Sequence, residues 1–277
     1  MIRRTVSTVI LWTALGTVLY FFGAVAGVWL MAALAAASQH EFYRLSEAAG
    51  RQPARAAGLI AGGALLLIPY HAAAAGCDPV AAGLSLFAVG LVFLAAVSLA
   101  APVETRVDSL AAGVLGLALV AFPLHFFSQI LLLGHGTGGL ILALWVVVVV
   151  KFTDIGAYLA GTFWGRRKLA PSLSPGKTWE GVAGGLLASM LAAGVFAAIF
   201  SEWLPDALSP AAAAGLALPI AIASIPSDLL ESLFKREAGA KDSGKTIPGI
   251  GGAYDLSDSL VLSAPVAFVL LNLVLAG

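Results

Sequence analysis

The sequence predicts an all-α, polytopic integral membrane protein, a helical bundle of about nine transmembrane helices with its active site at the cytoplasmic side. Three observations predict it: 60% of the 277 residues are apolar, only 11% are charged, and the mean hydropathy is +0.97. Soluble domains carry about 25% charged residues. A hydrocarbon core of about 30 Å takes roughly 20 helical residues to cross. Helix is the default element because it satisfies its backbone polar groups within one span.

Taken in order, the apolar runs place spans at 5–21, 23–39, 56–75, 80–101, 107–133, 138–163, 180–201, 209–226 and 259–276. The first run opens after Arg3 and Arg4 in the manner of a signal peptide. It continues from Val6 to Ala37, too long for a cleaved apolar region, so it reads as two retained spans. In the fifth span, Pro123 and His125 mark a place where the helix can break into a span and a short re-entrant piece. The four N-terminal spans make a region 1–101. The catalytic region is 102–277, with cytoplasmic loops 164–180 and 227–258.

Charge supports this order. With the N-terminus cytoplasmic, 14 of the 15 Lys and Arg residues fall on the inner side, and the fifteenth, Lys151, lies in the sixth span. The outer loops then carry Asp78, Glu202 and Asp206, which is the asymmetry of a cytoplasmic membrane protein. A lone cysteine, Cys77, excludes an intrachain disulfide and a multi-cysteine metal site. Formal net charge is zero, so its distribution matters more than its sum.

That distribution is uneven. Residues 227–259 hold Asp228, Glu231, Glu237, Asp242, Asp255 and Asp258 with Lys235, Arg236, Lys241 and Lys245, ten of the chain's 30 charged residues. Asp228, Glu231 and Lys235 recur at helical spacing and share a face. Asp255 and Asp258 are three apart at the start of the last span. Paired carboxylates there suit a hard divalent cation such as Mg²⁺, although acids at a helix N-terminus also simply compensate its dipole. Between them, Gly244, Gly249, Gly251 and Gly252 surround Pro248. Glycine permits close backbone approach, and exposed N–H groups cradle phosphate.

A second charged segment runs from Lys151 to Gly181. Asp154 lies at the inner end of a span, where an ionised group is costly, and Lys151 sits on the same face to pair with it. Arg166, Arg167 and Lys168 suit topology and anionic lipid as well as they suit catalysis. The turn Ser174-Pro-Gly-Lys177-Thr178 favours a phosphate contact but lacks P-loop glycine spacing.

The segment Ser232 to Asp258 resembles the signature of the phosphatidate cytidylyltransferases, or CDP-diacylglycerol synthases. Ser232, Lys235, Arg236, Lys241, Asp242, Pro248, Gly249, Gly251, Gly252, Asp255 and Asp258 fall in register with it. The stretches Asp154–Tyr158 and Ser174–Gly181 resemble that family's upstream region. Ile250 stands where the family has His, and Leu256 where it has Arg. The resemblance implies transfer of the cytidylyl group from CTP to phosphatidic acid, giving CDP-diacylglycerol and pyrophosphate. It implies Lys235, Arg236, Lys241 and Asp242 as catalytic residues, and Ser174, Lys177, Thr178, Ser232, Gly251 and Gly252 as substrate contacts. Asp255, Asp258, Asp228 and Asp154 become ligands to Mg²⁺ and to a second cation.

Other expectations follow from the same reading. The protein resides in a bacterial-type inner membrane, binds no nucleic acid, and through the small residues of 180–201 has the means to form a homodimer. Competing functions are a CTP-dependent polyprenol or phytol kinase, which releases CDP, a transporter, and an inactive homologue, for which Ile250 and Leu256 are the motive.

Overall fold

The structure, a computed structural model, describes residues 2–134, 137–246 and 251–276, with backbone alone described at 2–12, 14, 15 and 276. Pro248, Gly249 and Ile250 of the signature lie outside the described residues. Nine α-helical elements are described: α1 Ile2–Ala48, α2 Arg55–Ala73, α3 Pro79–Leu99, α4 Arg106–Gly116, α5 Phe122–Leu133, α6 Thr137–Trp164, α7 Trp179–Ile199, α8 Pro210–Glu237 and α9 Ala253–Ala276. One antiparallel hairpin joins α6 to α7, with β1 at Lys168–Ala170 and β2 at Ser174–Thr178. The chain is an all-α polytopic membrane protein, and the hairpin is the one sheet among the described residues.

Eight helices among the described residues are long and apolar enough to cross a membrane, against the nine spans read from the sequence. The difference lies in α1. There two helical stretches run together across a kink at Gly23 (φ 58°, ψ −142°), at the boundary the sequence places between 5–21 and 23–39. Glycine carries no Cβ penalty at positive φ. The helix then runs on to Ala48, well past the expected end at residue 39.

The fifth span does not break at Pro123. A five-residue π-helical stretch, Leu117–Ala121, joins α4 to α5, and Phe122 N donates to Leu117 O. Proline lacks the donor for the carbonyl four residues back and its ring crowds that carbonyl. One wide turn absorbs both problems and the span stays continuous.

By packing, the chain divides into two units, each discontinuous in sequence: Met1–Gln129 with Phe234–Ser257, and Ile130–Leu233 with Asp258–Gly277. The boundary expected at residue 101 falls inside the first. The core of the first unit includes Phe42 and Tyr43 of α1, Leu65 and Leu66 of α2, Leu94 of α3, and Leu117, all buried. Two of its buried polar side chains bond across helices: Gln39 Nε2 donates to Gly58 O at 3.0 Å and Tyr43 Oη donates to Gly113 O at 3.0 Å. In the second unit α6 lies against α7. Trp145 is fully buried and its Nε1 donates to Ala193 O at 3.3 Å. Gly156 meets Ala188, and Gly184 meets Ala160, so backbones approach closely where side chains are small. The small residues that the sequence offers for a homodimer are thus engaged within the chain.

Candidate active site

In the second unit, α8 and α9 bring three carboxyl groups together. Asp228 and Glu231 are three apart on one face of α8, and Asp258 projects from the first turns of α9. One carboxylate oxygen from each lies within 4.8 Å of the other two. Glu231 is fully buried. Ser227 draws the two helices together: its hydroxyl donates to Asp258 O, and Leu262 N donates to Ser227 Oγ at 3.0 Å. Asp258 O and Leu262 N are the two groups that an i→i−4 bond of α9 would join. The serine therefore inserts into the ladder at the residue whose carboxylate faces the cluster.

Basic groups and a further acid complete the arrangement. Lys177, carried on β2, places Nζ 2.7 Å from Asp228 Oδ2. On α6, Lys151 pairs with Asp154 at 3.6 Å, as their spacing predicted. The Ser259 hydroxyl reaches Asp154 Oδ2 at 2.9 Å and Asp258 Oδ1 at 2.8 Å, and its single proton serves one of them at a time. Ser232 Oγ donates to Asp228 Oδ1 at the long distance of 3.5 Å. Four carboxyl groups thus face two ammonium groups within one unit. An all-oxygen donor set with excess negative charge is what a hard divalent cation requires.

Asp255 has its own set of partners. It belongs to the first unit, where its carboxylate accepts from Lys235 Nζ at 2.9 Å, Ser243 N at 3.0 Å and Gly252 N at 2.8 Å. Of the four acids expected to ligate metal, Asp228 and Asp258 come together with Glu231, Asp154 joins them through Ser259, and Asp255 holds a lysine and two backbone amides. Gly251 takes φ 134°, opening the turn into α9. Arg236, Lys241 and Asp242 are exposed. At the foot of α8, Arg51 grips Glu237 through both guanidinium amines, at 3.1 and 2.5 Å, and this pairing holds the Arg51 guanidinium above its ordinary pKa.

The hairpin is fixed by backbone capping. Glu180 accepts from Arg166 N at 3.0 Å and from Arg167 N at 3.1 Å. Thr178 is buried and its Oγ1 accepts from Gly181 N at 3.1 Å, the N-cap of α7. Its hydroxyl accepts there and keeps its own proton to donate. Ser174 is half-buried at the start of β2, opposite Ala170.

Three residues escaped the sequence reading as site members: Glu231 as a third carboxylate, Ser259 as a bridge, and Glu41. Glu41, buried on α1, accepts from Ser243 Oγ at 2.8 Å, from Tyr254 N at 2.9 Å and from Thr246 Oγ1. The available signal was an acid with Phe42 and Tyr43 beside it in a stretch that stays helical.

A model described as the cytidylyltransferase family matches residues 2–274. Among curated proteins, the chain is 43% identical over 127 residues to a phosphatidate cytidylyltransferase of Haemophilus influenzae, covering 46% of this chain and 44% of that protein. It is 44% identical over 133 residues to a phosphatidate cytidylyltransferase of Pseudomonas aeruginosa, covering 48% and 47%. It is 38% identical over 155 residues to the uncharacterized protein YnbB of Escherichia coli, covering 55% and 50%. The chain spans about half the length of the curated relatives it matches.

Proposed function

We propose that this chain, which belongs to the cytidylyltransferase family, transfers the cytidylyl group from CTP to phosphatidic acid. A phosphate oxygen of the lipid attacks the α-phosphorus of CTP, the bond from that phosphorus to the β-phosphate oxygen breaks, and pyrophosphate leaves. The products are CDP-diacylglycerol and pyrophosphate. The observation that carries this reading is the meeting of Asp228, Glu231 and Asp258 within 4.8 Å, with Lys177 at 2.7 Å from Asp228. The nucleophile is already anionic at neutral pH, so no strong base is called for. The obstacle is bringing two polyanions together.

The donor set fits Mg²⁺, which Asp228, Glu231 and Asp258 would hold. Bound there, it would supply neutralisation of phosphate charge and alignment of the attack. The chain's own residues do the rest. Lys177, released from Asp228, and Lys151 present ammonium groups to phosphate oxygens. Ser259 keeps Asp154 and Asp258 oriented toward one another. Lys235, steadied by Asp255, together with exposed Arg236 and Lys241, grips the triphosphate.

The reading includes a bacterial inner membrane with the N-terminus cytoplasmic, supported by the one-sided distribution of Lys and Arg. Cys77 is exposed between α2 and α3 and, with the two spans that the sequence places at 5–21 and 23–39, would face outward. Labelling of intact cells by a membrane-impermeant thiol reagent tests that orientation. A homodimer would need other surfaces than the α6–α7 contact, such as exposed Leu187, Leu191 and Val195, and cross-linking in the membrane tests it.

The function is tested in a bacterial strain whose own phosphatidate cytidylyltransferase is switched off. Expression of this chain restores CDP-diacylglycerol and growth. Phosphatidic acid that keeps accumulating despite correct insertion contradicts the proposal.

A further inference from the structure

Glu41 lies about two hundred residues from the segment that depends on it. Its Oε2 accepts from Ser243 Oγ at 2.8 Å and from Tyr254 N at 2.9 Å, and its Oε1 accepts from Thr246 Oγ1. The segment closes on this carboxyl group from both sides. At Gly244 and again at Gly252, an added Cβ would run into Glu41. Glycine is therefore required at both positions for approach, and the carboxyl group fills the space the missing side chains leave.

The network continues from Glu41 to the charged pair. Ser243 Oγ, while donating to Glu41, accepts from Asp255 N at 3.2 Å. Ser243 N donates to the Asp255 carboxylate at 3.0 Å. Asp255 Oδ1 in turn accepts from Lys235 Nζ at 2.9 Å. All of these residues belong to one unit. A glycine-rich segment loses much conformational freedom when it is ordered. Glu41 supplies buried acceptors that offset this loss.

We propose that Glu41 is a positioning residue for nucleotide binding. It anchors Ser243, Thr246 and Tyr254 and so sets the orientation of the Asp255–Lys235 pair that grips the triphosphate of CTP. This rests on the function proposed above. Without the anchor the segment samples several conformations, and apparent affinity for CTP falls by the fraction that remains competent. Lipid binding, which draws on the acyl chains in the bilayer, is spared.

The test uses the full chain in lipid nanodiscs, with Glu41→Gln as the first variant. The amide keeps the shape but turns one acceptor oxygen into a donor facing other donors. Expected is a rise of about tenfold in KM for CTP and a change below about twofold in KM for phosphatidic acid. Hydrogen exchange rises across 239–257 and stays unchanged in α6 and α7. Ser243→Ala, which deletes the hydroxyl's bonds to Glu41 and to Asp255 N while keeping the backbone bond of residue 243 to the Asp255 carboxylate, reproduces the CTP-selective change, and it decides the matter if Glu41→Gln does not accumulate. Unchanged KM for CTP with unchanged exchange in 239–257 overturns the assignment, as does an equal loss in kcat with both KM values unaltered. Should the unaltered chain form no CDP-lipid, the proposed function falls, and exchange in the two variants alone decides the anchor.

Discussion

Replacing Lys177 with Met should tighten divalent-cation binding while weakening the use of CTP. In the structure the Lys177 ammonium lies 2.7 Å from Asp228 Oδ2, on one of the three carboxyl groups that would hold the ion. A cation entering the group must displace it. A charge-assisted hydrogen bond of this kind contributes about 1.5–3 kcal/mol. The Lys177 and Asp228 side chains are 24% and 27% exposed, which places this pair at the low end through solvent screening. At about 1.4 kcal/mol per decade, removal of the competitor tightens the ion by about tenfold. The same change deprives the phosphates of an ammonium group, so kcat/KM for CTP falls by about tenfold or more. The assay is Mn²⁺ titration by electron paramagnetic resonance on the purified chain, alongside steady-state kinetics. Mn²⁺ affinity that is unchanged or weaker in Lys177→Met would refute the placement of that lysine on a metal-binding carboxylate.

Further outcomes follow from the same geometry. Asp258→Ala removes a carboxylate from the three-acid group and should lower transfer at least about a hundredfold with insertion intact, read from product formation and membrane yield. Gly252→Ala drives a methyl group toward Glu41 and Ser243 Oγ and should cut kcat/KM for CTP by about tenfold or more; wild-type kinetics would contradict the close approach. Thr178→Val removes the cap on Gly181 N and should cost about 1 kcal/mol, seen as a lower Tm, whereas a raised KM at unchanged Tm would return Thr178 to substrate binding.

The helices were legible because membrane spans are written in long apolar runs, and the side-chain pair Lys151–Asp154 because three residues on a helix share a face. What stayed hidden was set by tertiary structure. A π-helical turn before Pro123 depends on a backbone adjustment that hydropathy does not encode. Asp255 and Asp258 look like one metal-binding pair in sequence. At the start of α9, however, Asp255 turns back to the amides of Ser243 and Gly252, and Asp258 is left to Asp228 and Glu231. Glu41 lies just past the span expected at 23–39. Its partners lie near the other end of the chain, where spacing rules carry no information.

The central claim, that this site moves a cytidylyl group, is tested most directly by the fate of two labels. Purified chain in nanodiscs receives phosphatidic acid, Mg²⁺ and CTP labelled in parallel experiments at the α- or the γ-phosphate. The account predicts that α-label enters the lipid fraction, γ-label leaves as pyrophosphate, and both signals vanish in Asp258→Ala. If γ-label enters a lipid and CDP is released, or if neither label moves in a chain that still binds nucleotide, the account is contradicted.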